Sequence, residues 1–161
     1  MANVNSVQHT QLVAQVGSCT NLSTAWATYE ITSALSGADT ITMFTLPAGT
    51  TVLAGWLTAD DIDTGTEALE LDVGDASSST RFLDSGVITG DAFAAGNIAN
   101  VTGVNYPLYG TLKDGPYTYT SATNIIVTVT AAANAGGTGT VSLTMLVSYN
   151  DARVSPPTKP L

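Results

Sequence analysis

Histidine and cysteine occur once each in this 161-residue sequence, as His9 and Cys19. A Ser-His-Asp or Cys-His nucleophile system needs a histidine held in a rigid site by a third group, and His9 lies in a polar, weakly patterned stretch. A single cysteine forms no internal disulfide, so nothing here requires an oxidising compartment. With few cations near it in sequence, its thiol reads as an inert small side chain. Positive charge is equally scarce: Arg81, Lys113, Arg153 and Lys159 face thirteen Asp and Glu residues, for a net charge of -9. Such a chain repels phosphates and anionic lipid, which argues against nucleic acid and membrane surfaces as partners. No run approaches the roughly 18 apolar residues of a membrane span, and the N-terminus shows no basic cluster followed by an apolar run. The chain reads as a soluble cytosolic product.

Charged residues make up only 11% of the sequence, under half of the usual quarter, while hydrophobic residues make up 44%. Thr, Ser, Ala, Gly and Asn fill the difference, and they suit pleated sheets and tight turns better than solvent-facing helices. The alternation is clearest where Val141, Leu143, Met145, Val147 and Tyr149 interleave with Thr140, Ser142, Thr144, Leu146 and Ser148. Just upstream, Ile125, Val127 and Val129 alternate with Ile126, Thr128 and Thr130, and the Gly-rich segment 134–139 between the two runs predicts a hairpin. In segment 25–35, Trp26, Thr28 and Glu30 share one face against Ala27, Tyr29 and Ile31. In segment 39–46, Ile41, Met43 and Thr45 fall opposite Thr42, Phe44 and Leu46. Further strands are predicted over 50–58 and 67–73, with weaker candidates at 80–83, 86–89, 98–109 and 117–120.

The pattern predicts an all-β, single-domain β-sandwich of about eight short strands; that number suggests a jelly roll, while periodicity leaves the strand order open. Residues 25–149 form this domain, flanked by an N-terminal arm over 1–24 and a proline-rich C-terminal tail over 150–161. A length of 161 residues is enough for one core.

No catalytic, cofactor-binding or metal site is assigned. The densest acidic segment, Asp60-Asp61-Ile62-Asp63-Thr64-Gly65-Thr66-Glu67, fails the EF-hand pattern because Ile62 and Thr64 occupy ligand positions. A looser calcium loop completed by Asp72, Asp75 or Asp84 is the sharper alternative to a solvated turn. Two carboxylates across a sugar-sized cleft, as glycoside hydrolysis needs, are not indicated, and the chain reads as no enzyme. Trp26, Trp56, Tyr106, Tyr109, Tyr117 and Tyr119 are the residues a sugar-binding surface would use by stacking. Scattered aromatics more often pack in the core, and the segment from Tyr106 to Tyr119 is the place where exposure is expected.

Three stretches give the sequence a family resemblance: Leu46-Pro47-Ala48-Gly49-Thr50-Thr51-Val52-Leu53 entering a strand, then Leu69-Glu70-Leu71-Asp72-Val73-Gly74-Asp75, then Ser79-Thr80-Arg81-Phe82-Leu83. Over about residues 25–149 the chain resembles the capsid decoration, or cement, proteins of tailed bacteriophages and related small jelly-roll virion modules. The resemblance carries over no functional residue. It implies a non-catalytic virion structural protein, made in the host cytoplasm and bound to the capsid exterior. The implied partner is the major capsid protein, the implied assembly a homotrimer, and terminal arms would bridge neighbouring shell subunits. The alternative is a head-fibre or tail-associated adhesin module that binds host surface glycans.

Overall fold

Ten short stretches of alternating or β-branched sequence form strands in the computed structural model. The structure describes residues 3–5, 22–60, 62, 68–84, 104–108, 110–133 and 138–149. The strands are β1 (Asn3–Asn5), β2 (Leu22–Ile31), β3 (Thr40–Leu46), β4 (Thr50–Ala59), β5 (Glu70–Asp75), β6 (Ser78–Leu83), β7 (Val104–Pro107), β8 (Tyr117–Thr118), β9 (Thr123–Ala131) and β10 (Gly139–Tyr149). A 3-10 helix, Gly110–Asp114, precedes β8. Of the weaker candidates, 86–89 lies outside the described residues, and within 98–109 the strand is β7.

One sheet has the order β2-β10-β4-β7, with β8 added to β4, and the other has the order β3-β9-β5-β6, with β1 added parallel to β3. Leaving aside the short β1 and β8, the remaining eight strands run 1-8-3-6 in one sheet and 2-7-4-5 in the other. This is the double wrap of a jelly-roll sandwich: the alternation predicted the sandwich, and the structure supplies the strand order. Within each four-stranded sheet every pairing is antiparallel.

The expected β9–β10 hairpin does not form. β9 pairs with β3 and β5, whereas β10 pairs with β2 and β4 in the opposite sheet. Alternation fixes which face of a strand is buried, but it is blind to whether the next strand returns beside it or crosses the core. In a jelly roll most connections cross, and among the described connections only β5 to β6 is a hairpin.

Ile125, Val127 and Val129 of β9 and Val141, Leu143 and Met145 of β10 are all 1% exposed or less, each set on the inner face of its sheet. Ala25, Ala27 and Ile31 of β2, Val52 and Leu57 of β4, and Leu71, Val73 and Phe82 of β5 and β6 complete a core shared by both sheets. Burying each large apolar side chain contributes about 1.5–3 kcal/mol before entropy is counted.

Strict alternation fails in β3. It sets Phe44 and Leu46 opposite Ile41 and Met43, yet all four are buried, and Thr45 is exposed. A bulge between Thr42 and Phe44 against β9 accounts for this: Ile41 opposes Val127, Phe44 opposes Ile125, and the extra residue reverses the phase. Thr45 then reaches Asn124 on the outer face, its hydroxyl donating to Oδ1 at 2.7 Å.

Between β3 and β4 the chain changes sheets in one tight turn. The Thr50 N–H donates to the Pro47 carbonyl at 3.2 Å, and Gly49 has φ 84°, the positive value that a type II turn demands at its third position. The turn is held in place by β8, whose neighbour Tyr119 accepts from Gly49 N at 2.7 Å and donates its own N–H to Thr50 O at 2.9 Å.

Candidate binding surface and the buried polar network

Acidic loops and aromatics are the candidate functional groups of the sequence, and the fold separates them into two groups. One group is buried. Asp75 ends β5, 3% exposed, and its carboxylate closes the hairpin to β6 as an Asx turn. Oδ1 accepts from Ser77 N at 2.9 Å, Ser78 N at 3.0 Å and Ser77 Oγ at 2.6 Å. Oδ2 accepts from Arg81 Nε and from the Tyr119 hydroxyl at 2.8 Å. The Arg81 guanidinium also lies 4.4 Å from the Tyr117 ring centroid, a cation-π contact. Tyr117, Tyr119 and Phe82 meet edge to face, with centroids 5.0–6.3 Å apart.

Burial works to raise the Asp75 carboxyl, but the hydrogen bonds from Arg81, Ser77 and Tyr119 outweigh it and hold the group well below the ordinary carboxylate range. For Tyr119, burial and the hydrogen bond to Asp75 both push the phenol up, so it stays a neutral donor. Arg81, one of the four cations of the chain, is thus the internal counter-ion of Asp75. Lys113 is exposed at the end of the 3-10 helix, and Arg153 and Lys159 lie outside the described residues.

Among the described residues, the calcium candidates Asp60, Asp72, Asp75 and Asp84 are not brought together as a metal site. Asp75 has both oxygens engaged, and Asp60 accepts from Thr140 N at 2.8 Å and from Thr140 Oγ1 at 2.7 Å, tying the end of β4 to β10. Ile62, in the middle of the acidic segment, is 2% exposed and belongs to the core. Among the described residues no three His, Cys, Asp or Glu side chains converge as metal ligands. Asp61, Asp63 and Glu67 lie outside the described residues, as do His9 and Cys19. Among the described residues, no helix is long and apolar enough to cross a membrane.

The second group is the outer face of the β2-β10-β4 sheet. Exposure of aromatics was expected around Tyr106 to Tyr119, but Tyr119 is buried and Tyr117 half-buried in the network above, while the side chains of Tyr106 and Tyr109 lie outside the description. Among the described residues the exposed aromatics are instead Trp26, at 49%, and Trp56, at 43%. Register places them in one row: Thr144 of β10 is opposite Trp26 on one side and Trp56 on the other. Two strand spacings separate their backbones, about 9.6 Å. The next row holds Thr28, Ser142 and Thr58, where the Thr28 and Ser142 hydroxyls are 2.9 Å apart and Thr58 Oγ1 donates to the Ser142 carbonyl at 3.4 Å. Thr24, Leu146 and Ala54 form the row on the other side. The signal was present in the sequence, since Trp26 shares its phase with Thr28 and Glu30 on the solvent side of β2.

No protein-family model and no curated protein matches this sequence. Solved structures that resemble it in fold include chains of three phage capsids. A chain of the cyanophage Pam1 capsid asymmetric unit matches with a TM-score of 0.66 at 24% identity, covering 91% of this chain and 97% of that one. A chain of the Ralstonia phage GP4 capsid matches with a TM-score of 0.63 at 20% identity, covering 92% and 99%. A chain from the acid-stable capsid structure of Helicobacter pylori bacteriophage KHP30 matches with a TM-score of 0.54 at 19% identity, covering 79% and 86%. The jelly-roll sandwich described here is thus a fold that this chain shares, over 79% to 92% of its length, with chains from phage capsid structures.

Proposed function

We propose that this protein is a non-catalytic structural component of a tailed-phage virion, bound to the outside of the capsid, where it cements neighbouring shell subunits. The observation that carries the reading is the extent of the likeness: 97% and 99% of the Pam1 and GP4 capsid chains are covered, so whole chains of similar length correspond. The chain chemistry is consistent with an exterior position. A net charge of -9 with four cations, one of them committed to Asp75, is poorly suited to contact packaged DNA.

The partner in this reading is the major capsid protein, and the assembly a homotrimer. Repeated sites on a symmetric lattice would make modest contacts collectively strong. Segments 1–24 and 150–161 are the proposed bridging arms; within the first, Asn3–Asn5 pairs with Thr40–Thr42 at the edge of a sheet and residues 22–24 already belong to β2, which leaves 6–21 as the span between. The test is addition of the purified protein to phage particles stripped of it. Saturable binding that raises the temperature of DNA release supports cementing, and binding without such a rise refutes it.

A second reading, a head-fibre or tail-associated adhesin module for host glycans, is favoured by one observation: the two tryptophans are exposed in a single row on a sheet face.

A further inference from the structure

From the outer face of the β2-β10-β4 sheet we infer a binding site for a neutral oligosaccharide, with Trp26 and Trp56 as stacking platforms and Thr28, Ser142 and Thr58 as hydrogen-bonding groups. This deepens the glycan-recognition reading and rests on it.

Large aromatic side chains in strands ordinarily turn inward, where burial stabilises the fold. Here both tryptophans of the chain stand on the solvent side, across from one another, with only Thr144 between them. Their backbone separation of about 9.6 Å is close to the length of two pyranose rings. A sugar ring presents apolar C–H faces that pack on an indole and equatorial hydroxyls that need partners at the edge. The adjoining row of Thr28, Ser142 and Thr58 supplies such partners in register with the tryptophans.

Charge selects among ligands. The tryptophan row and the rows flanking it carry no charged side chain, and the chain as a whole is strongly acidic, so phosphorylated or carboxylated glycans are disfavoured and a neutral one fits.

Because these are the only tryptophans in the sequence, intrinsic fluorescence reports the site without background. The full-length protein is titrated to millimolar concentrations with cellohexaose and with chitohexaose, both neutral and β-1,4-linked, and followed by emission and by calorimetry. The expected result is a saturable emission change with matching heat for at least one sugar, weakened about tenfold in Trp26→Ala and in Trp56→Ala. Trp26→Phe should recover part of the loss, and circular dichroism shows that each variant is folded. Heat of binding without an emission change, or binding indifferent to both alanine variants, overturns this site and leaves glycan recognition standing elsewhere on the protein. Neither heat nor emission change with either sugar overturns both. An oligomer that disperses in Trp26→Ala or Trp56→Ala overturns the site in favour of a protein contact.

Discussion

Asp75 is the residue on which most local order converges, since it closes a hairpin, neutralises Arg81 and positions Tyr119 with one carboxylate. Asp75→Ala leaves Arg81 and the Tyr119 hydroxyl without their acceptor, and loss of one partner from a buried pair costs about 3 kcal/mol. The pH dependence has a definite sign. Because the folded carboxyl is held below its unfolded value of about 3.9, its contribution is complete above that value and is lost as pH falls through the folded one. The gap in thermal midpoint between wild type and Asp75→Asn should therefore be constant from neutral pH to about pH 5 and narrow only below about pH 4. An unchanged gap down to pH 2 would mean that the carboxylate charge is not what stabilises the network. Thr50 gives the opposite kind of residue effect. Its hydroxyl is buried and finds no hydrogen-bond partner among the described residues, while its backbone is fully used in the turn. Thr50→Val keeps the shape and removes the unsatisfied group, so denaturant unfolding should show it equal to wild type or up to about 1 kcal/mol more stable.

Hairpin β5–β6 shows why an element needs more than its hydrophobic pattern. A side chain at Gly74 would place its Cβ 2.0 Å from the Ser78 carbonyl oxygen, so the two strands approach as closely as they do only because this position is glycine. Gly74→Ala is expected to cost at least about 2 kcal/mol, read as a lower midpoint in urea, and to loosen the Asp75 network with it. A midpoint within error of wild type would show that the hairpin can shift to admit a methyl group. At this scale the sequence was partly legible. β10 follows its predicted faces residue by residue, because it lies in mid-sheet with one face toward the core. β3 does not, because the bulge at Met43 and Phe44 reverses the phase, and period-two patterning carries no sign of an inserted residue. The Asp75–Arg81 pair lies within one hairpin and so leaves a local trace, Asp75-Ala76-Ser77-Ser78 with Arg81 on the returning strand. Tyr119 comes from 44 residues away, and no local pattern foretells it.

Across the whole molecule, the order 1-8-3-6 over 2-7-4-5 brings β2, β10 and β4 side by side and so assembles Trp26, Thr144 and Trp56 from three distant segments. Each tryptophan's outward phase was readable in its own strand, but their alignment in one row depends on sheet order, which alternation does not encode. The acidic, cation-poor composition acts at this scale too, since it bears on solubility and on which polymers the surface repels rather than on the fold. The proposed virion structural role on the capsid exterior is checked by quantitative mass spectrometry of purified phage particles, with the copy number of this protein measured against the major shell protein. Hundreds of copies per particle are expected of a subunit repeated over a symmetric shell. A count of a few to a few dozen would contradict cementing in favour of a fibre or tail module, and absence from the particles would contradict the virion role altogether.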